Sequence, residues 1–247
     1  MPNLWSMYSP AELAAAISII VAAGIVRGFT GFGAGLVAMP LLTLMWSPVE
    51  ALATNVLLGI AATAQLAPQA ARTANWRDMG PMTIAIVLAT PVGVWLLVTL
   101  DPGAVKKAIA VFVLIATLLT LYGWTYRGPR GAVPAAAAGG IGGIVNGLAG
   151  VGGPPMVLYL ISLPESPETH RANIVMSLAS TGVVSLIAMG LAGAFSIKIA
   201  VNAAILLGPS ILAVWVGARL FRVLPARMFR LVILWFLVAI SVAMLLA

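Results

Sequence analysis

Two glycine-rich stretches interrupt the longest apolar segments of this chain: GFTGFGAG (28–35) and GLAGVGGPP (147–155). The segments around them run over about residues 11–46 and 132–163, well beyond the roughly 20 residues that a helix needs to cross a bilayer. Glycine is unfavourable inside a helix, because it loses the most backbone freedom on folding. The sequence therefore predicts that each segment is helical at both ends and broken at its glycines.

The composition identifies lipid as the solvent of most of this chain. Of its 247 residues, 62% are hydrophobic and only 8% are charged, and the mean hydropathy is +1.11. A typical soluble domain carries about 25% charged residues. The net charge of +7 does not indicate nucleic-acid binding, because the basic residues stand singly or in pairs and not on one clustered face. We therefore expect an all-α integral membrane protein in contact with the lipid bilayer.

The chain divides into eight apolar segments joined by short links. Six of the segments have ordinary spanning length, and no link is long enough to hold a soluble domain. The sequence thus predicts one transmembrane domain over residues 1–247. The segments cover about residues 11–46, 50–71, 79–100, 104–124, 132–163, 172–193, 197–217 and 228–246.

The second half of the chain repeats the first. At an offset of 119 residues, the matched pairs include Gly24 and Gly143, Gly28 and Gly147, Gly31 and Gly150, and Gly33 and Gly152. With one deletion, Asn55 then aligns with Asn173 and Pro91 with Pro209. We interpret residues 1–127 and 128–247 as two copies of one four-segment unit, a pattern typical of secondary transporters.

The distribution of basic residues favours an inverted arrangement of the two copies. If all eight segments cross, five basic residues lie on one face and seven on the other, which is hardly a bias. If segments one and five are re-entrant, nine arginines lie on one face and only Lys106, Lys107 and Lys198 on the other. The nine are Arg72, Arg77, Arg127, Arg130, Arg171, Arg219, Arg222, Arg227 and Arg230. The second arrangement predicts inverted repeats with both termini on the non-cytoplasmic side, in a bacterial inner membrane.

The glycine breaks are the candidate binding site. Unwound backbone at membrane depth leaves amide groups without partners, and half-helices that begin after the breaks would point partly positive N–H groups at one central point. Such a point suits a small anion. The predicted substrate-binding residues are Arg27, Gly28, Thr30, Gly31, Phe32, Gly33, Asn55, Asn146, Gly147, Gly150, Val151, Gly152, Gly153 and Asn173.

Each of these residues also has a purely structural interpretation. The glycines could serve only close helix packing, and Arg27 could extend its charge to the membrane interface. Asn55 and Asn173 could equally form structural bonds between helices. We favour anion binding because the glycines are duplicated, and because Arg27 and its counterpart Asn146 both place a hydrogen-bond donor directly before a break.

The residues that are absent exclude several functions. All six carboxylates stand at segment ends, and the chain has one histidine and no cysteine. An intramembrane enzyme would need a nucleophile and a base, or metal ligands, within the bilayer. We therefore expect no enzymatic activity, no metal site, no cofactor and no nucleic-acid partner.

Two motifs carry a resemblance to a known family. GFTGFGAGLVAMPLL (28–42) and GIVNGLAGVGGPPMV (143–157) resemble the two glycine-rich motifs of the TauE/SafE family, described as sulfite and organosulfonate exporters. The second motif departs from the family pattern at GGPP, where a third glycine and a bulky residue are expected. The resemblance covers essentially the whole chain, and it implies a small sulfur-containing anion as substrate.

The leading hypothesis is a secondary transporter, an exporter of sulfite or a small organosulfonate, with the anion held at the two breaks. A passive anion channel with the same positive centre is one alternative, and a non-transporting accessory subunit is another. The duplicated breaks speak against the accessory subunit. The sequence leaves the oligomeric state open, with a homodimer as one option.

Overall fold

The computed structural model describes residues 9–64, 66–220 and 226–246, and for 226–230 only the backbone. Over these residues all regular structure is helical. The helices are α1 (Pro10–Thr30), α2 (Ala34–Met45), α3 (Pro48–Ala64), α4 (Ala67–Thr73), α5 (Trp76–Thr99), α6 (Pro102–Leu121), α7 (Ala132–Ala149), α8 (Gly153–Leu160), α9 (Pro167–Leu191), α10 (Ile197–Leu220) and α11 (Ala226–Leu246).

Six of the described helices are long and apolar enough to cross a membrane: α1, α5, α6, α7, α9 and α10. The count becomes seven if α3 and α4, which meet at an angle of 65°, form one span. Large apolar side chains on α5 face outward, among them Ile84, Leu88 and Trp95. Such a surface requires lipid as its solvent. The prediction of an all-α membrane protein is therefore confirmed, and the finer division into eight segments is not.

The first helix break lies at residues 31–33. Gly31 adopts a left-handed conformation with φ 84° and donates its N–H to the carbonyl of Arg27 at 2.7 Å, which ends α1. Gly33, also left-handed, precedes α2. At the far end of α2, Trp46 borders a small cavity together with Leu13 from the start of α1. The chain therefore turns back at the first break.

The second break lies at residues 150–152 and is built in the same way. Gly150 has φ 69° and donates its N–H to the carbonyl of Asn146 at 2.9 Å. At the end of α8, the hydroxyl of Tyr159 donates to the carbonyl of Gly131 at 3.1 Å, directly before α7. The chain turns back here too. Gly152 differs from Gly33, because its φ is −69°.

Glycines allow two pairs of helices to pack in backbone contact. A Cβ at Gly28 of α1 would overlap the carbonyl oxygen of Val214 in α10, and a Cβ at Gly147 of α7 would overlap that of Thr90 in α5. The pairs are reciprocal, because Gly217 meets Ile25 and Gly93 meets Ile144 in the same manner. In these contacts Gly93 of α5 has the same role as Gly217 of α10, an offset of 124 residues. Pro91 and Pro209 are 118 residues apart, so they do not stand at equivalent positions.

The two breaks meet at the centre of the fold. Helices α2 and α3 contribute fully buried side chains around them, including Met39, Leu42 and Leu52. A Cβ at Gly35, in the first turn of α2, would overlap the carbonyl oxygen of Gly150 in the second break. The absent side chain thus brings the start of α2 into direct contact with the end of α7.

Candidate anion-binding site

A cavity of about 80 Å³ lies between the two breaks. A single water needs about 10–15 Å³ on the same measure, so the cavity has room for several waters or one small oxyanion. It is lined by Arg27, Phe32, Gly33, Ala34, Gly35, Leu36, Leu52, Asn55, Val56, Gly59, Thr63, Asn146, Gly150, Val151, Gly153, Pro154, Leu178, Thr181 and Gly182. These residues come from both halves of the chain, and none of them is acidic.

Arg27 supplies the positive charge of the cavity. It stands in the last turn of α1, and its Nη2 donates to the hydroxyl of Thr63 at 2.6 Å and to the carbonyl of Gly59 at 3.3 Å. No carboxylate lies within ion-pair distance of Arg27 among the described residues, and Nε and Nη1 have no partner there. The guanidinium is thus held in place by neutral oxygens while its charge remains uncompensated.

Asn55 and the N terminus of α2 add neutral donors next to Arg27. No side chain caps α2, and of its first-turn amides Leu36 donates to the carbonyl of Gly33 at 3.1 Å, which leaves those of Ala34 and Gly35 to bind a ligand. The amide nitrogen of Asn55 lies 3.6 Å from the position that a Cβ of Gly35 would occupy, and it has no hydrogen-bond partner among the described residues. The first half of the chain thus provides a charge, an amide side chain and a helix N terminus.

The second half contributes fewer donors to the cavity. The side chain of Asn146 donates to the hydroxyl of Ser185 at 3.1 Å, which satisfies one of its two amide hydrogens. Helix α8 also begins without a side-chain cap. Pro154 and Pro155 stand in its first turn, however, and proline has no N–H to donate. The GGPP sequence thus removes two amide donors from the second break.

Eight of the predicted residues line the cavity: Arg27, Phe32, Gly33, Asn55, Asn146, Gly150, Val151 and Gly153. The other six lie around it, five of them within or beside the breaks. Gly28 and Gly147 pack against neighbouring helices, and Gly152 packs against the carbonyl of Gly142. The hydroxyl of Thr30 lies within donating distance of the carbonyls of both Val26 and Phe32, while Gly31 ends α1.

Asn173 is the sixth, and it lies in a different polar cluster. Its side chain accepts from the backbone N–H of Asn75 at 2.9 Å and donates to Glu165 at 2.9 Å. Helices α3 and α9 both begin at a Ser-Pro pair, and neither is interrupted in its first turns. The two helices therefore align at the same offset of 119 residues, and in this alignment the counterpart of Asn173 is Thr54. Asn55 is one position further, about 100° around the helix, on a different face.

Sequence reasoning did not single out Gly59 and Thr63, which hold Arg27, or Thr181 and Gly182 across the cavity. The sequence of α3 nevertheless contains a pattern that indicates a cavity-lining face. Asn55, Gly59 and Thr63 follow one another at intervals of four residues, which places them on one face of a helix. Small and polar residues in such a row distinguish a cavity-lining face from a lipid-facing one.

The donor set of this cavity fits an anion and does not fit a metal ion. It offers a guanidinium and amide N–H groups, whereas sites for Ca²⁺ or Mg²⁺ are built from oxygen ligands that usually include carboxylates. No cluster of three or more potential metal ligands occurs among the described residues. The charge of Arg27 in a confined, partly apolar space favours a small oxyanion with several acceptor atoms.

The family model described as "Sulfite exporter TauE/SafE" matches residues 16–244 of the chain. The chain belongs to the TauE/SafE family. Members are membrane transporters and not enzymes, so the predicted family and the predicted lack of enzymatic activity are both confirmed. The chain is also similar to the probable sulfite/organosulfonate exporter TauE of Cupriavidus necator, with 26% identity over 200 residues, which are 77% of each protein. No solved structure matches the chain significantly.

Proposed function

We propose that this TauE/SafE protein exports a small sulfur-containing anion, sulfite or a short organosulfonate, across a bacterial inner membrane. The observation that carries the proposal is the uncompensated charge of Arg27 in a cavity between two helix breaks. An arginine near the middle of a bilayer costs at least about 2.5–3.5 kcal/mol on insertion scales. A bound anion would offset part of that cost.

Family membership and cavity size support the choice of substrate. The relative from Cupriavidus necator is named as a probable sulfite/organosulfonate exporter. A cavity of about 80 Å³ accommodates the headgroup of such an anion but no large organic molecule. A sulfite or sulfonate group offers three oxygens to Arg27, Asn55 and the first turn of α2, and charge-assisted hydrogen bonds of this kind are the strong ones.

We further propose that the two halves are inverted repeats whose broken segments are re-entrant. The return of both α2 and α8 toward the start of the preceding helix supports this arrangement. So does the reciprocal packing of α1 on α10 and of α7 on α5, which two copies of one unit related by a two-fold axis would produce.

The positions of charged residues support the same topology. Asn75, at the start of α5, bonds to Glu165 before α9, so the arginines near these two positions share one end of the molecule. Arg219 stacks on Trp215, which borders the same cavity as Arg171. Lys198 forms an ion pair with Glu50 at 2.8 Å at the other end. Arg222 and the side chains of Arg227 and Arg230 lie outside the described residues.

Polar bonds between helices at each end favour a transporter over a channel. The carboxylate of Glu50 in α3 binds Lys198 and Asn202 of α10 at one end of the molecule. At the other end, the carboxylate of Glu165 accepts hydrogen bonds from Asn75, which caps α5, and from Asn173 in α9. A transporter opens to one side at a time, so it needs a closure at each end. A channel needs no such pair.

Binding and flux measurements test the substrate and the mechanism. Purified protein should bind sulfite or a sulfonate such as taurine or sulfoacetate more tightly than sulfate, thiosulfate or carboxylates of similar size. In proteoliposomes, uptake should saturate and show counterflow, whereas a channel would carry electrical current. Failure to bind any of these anions would remove the proposed substrate class.

The topology has its own test. The chain termini, residues 1–8 and 247, lie outside the described residues, and we propose that both ends face away from the cytoplasm. A C-terminal reporter that is active only in the cytoplasm should remain silent, and the same reporter after Arg127 should be active. An active C-terminal reporter would contradict the inverted arrangement.

A further inference from the structure

A second, larger cavity adjoins the central one. It measures about 350 Å³ and lies among α1, α3, α9 and α10. Arg27, Thr63 and Leu178 line both cavities, so they form the boundary between them. We name the second cavity the vestibule.

The vestibule is basic at both of its ends. Arg27 lies at its boundary with the central cavity, and the exposed Arg171 lies at the arginine-rich end of the molecule. No acidic residue lines it, and Arg171 has no carboxylate within ion-pair distance among the described residues. The remaining wall is largely apolar and includes Val175 and Ile211. Low-dielectric walls around charges of one sign concentrate the electric field and raise the local concentration of counter-ions.

We propose that the vestibule is a water-filled route by which the anion passes between the arginine-rich end and Arg27, with Arg171 on its outer wall attracting the anion. The inference rests on the proposed anion site at Arg27. Because Arg27 borders both cavities, an anion moving from one to the other stays within reach of the same guanidinium. Arg171 therefore acts on the rate of access, and Arg27 on the affinity of the bound state.

A cysteine-labelling experiment tests whether the route contains water and favours anions. The natural chain has no cysteine, so single cysteines report without background. Ala62 borders the vestibule and its neighbour Ala61 does not, so Ala61→Cys is a matched control on the same helix. We expect a negatively charged methanethiosulfonate reagent to label Ala62→Cys in membranes. With each rate divided by that reagent's rate with a free thiol, the negative reagent should react faster than a positively charged one. Ala61→Cys should remain unlabelled.

The contribution of Arg171 is tested by its neutral variant. In the Ala62→Cys background, Arg171→Gln should remove most of the preference for the negative reagent. In transport, the same change should lower kcat/KM about three- to tenfold at low ionic strength, with a smaller loss at high salt. Arg77→Gln, an exposed arginine at the same end outside the vestibule, should change neither. Equilibrium affinity for sulfite should stay the same in Arg171→Gln.

The possible failures are distinguishable. If Ala62→Cys is not labelled, or is labelled equally by both reagents, the vestibule is a lipid-filled groove and the inference is overturned, even where Arg27 proves to bind the anion. If labelling depends on charge and on Arg171 but no anion binds at Arg27, then the proposed central site has failed and the basic route stands.

Discussion

The two helix breaks share a backbone design and differ in their chemistry. Each begins with a left-handed glycine, Gly31 or Gly150, that donates to the carbonyl four residues earlier and ends the preceding helix. The first break is preceded by Arg27, whose charge has no carboxylate partner among the described residues. It is followed by α2, whose first turn contains no proline and therefore has all its N–H groups. The second is preceded by the neutral Asn146 and followed by Pro154 and Pro155. The two breaks thus share most of their backbone geometry, while the charge and most of the unpaired donors lie in the first half of the chain.

The largest effect is expected where the two breaks touch. Gly35→Ala would place a methyl group on the carbonyl oxygen of Gly150, and a backbone atom cannot move aside as a side chain can. Overpacking of this kind costs about 1–3 kcal/mol. We expect a lower Tm in detergent and sulfite binding weakened by about a hundredfold, equivalent to about 2.7 kcal/mol.

Gly140→Ala is the matched control for this change. Gly140 also lies in an apolar helix, but a Cβ there would have no atom within 4 Å. Alanine is the better helix former by about 1 kcal/mol, so this variant should keep or raise the Tm and bind normally. Normal binding by Gly35→Ala would mean that the contact between the breaks does not shape the site.

The second prediction concerns the charge difference between the breaks. Arg27→Gln keeps donors and most of the length but removes the charge, so we expect binding at least about tenfold weaker, a loss of about 1.4 kcal/mol. Arg27→Lys should recover part of this loss, since it restores the charge without the planar fork. Titration calorimetry with sulfite measures both, and expression and Tm should remain close to those of the parent.

Arg130→Gln serves as the control for the loss of one positive charge, because Arg130 is exposed and far along the chain from either break. It should bind like the parent. If Arg27→Gln transports equally well, then Arg27 is an interfacial arginine and the amides of the breaks hold the anion alone.

Much of the fold could be predicted because its causes are local in sequence. Segment length and hydropathy predict membrane helices, and runs of glycine predict helix breaks, which occur at residues 31–33 and 150–152. The residue-by-residue correspondence between α5 and α10 could not be predicted in this way. The prolines suggested an offset of 118 residues, but the contacts follow Gly93 and Gly217 at 124, because close backbone packing depends on small residues and not on proline.

The site was predictable only in part for the same reason. Arg27 stands out because a charge inside an apolar segment needs an explanation. Its partners Gly59 and Thr63 do not, since threonine and glycine are common in membrane helices and become a site only when a neighbouring helix places an arginine against them. Asn173 was matched to Asn55 by residue type, and a shift of one residue on a helix changes the face.

A third prediction separates these two asparagines. Asn55→Ala should weaken sulfite binding about fivefold, the worth of one neutral hydrogen bond of about 1 kcal/mol, with little change in Tm. Asn173→Ala should lower the Tm, because it leaves the N–H of Asn75 and one oxygen of Glu165 without a partner, and should leave binding intact. The reverse result, binding lost at Asn173 and not at Asn55, would return the site to the symmetrical arrangement predicted from the repeats.

The smallest expected effect tests why the second break is the weaker one. Pro154 lines the central cavity at the start of α8, and Pro155 does not. Pro154→Ala restores one amide N–H at a helix N terminus beside the cavity. It should therefore tighten sulfite binding roughly twofold, equivalent to about 0.4 kcal/mol. This value is at the low end of the interaction energy between a charge and a helix terminus. Pro155→Ala makes the same chemical change on the next residue and should leave affinity unchanged, which controls for any loss of rigidity in α8. Calorimetry resolves a twofold difference when both variants are measured beside the parent. If both variants weaken binding equally, the prolines serve to hold α8 in position, and the poor donor capacity of the second break is a consequence of that rigidity.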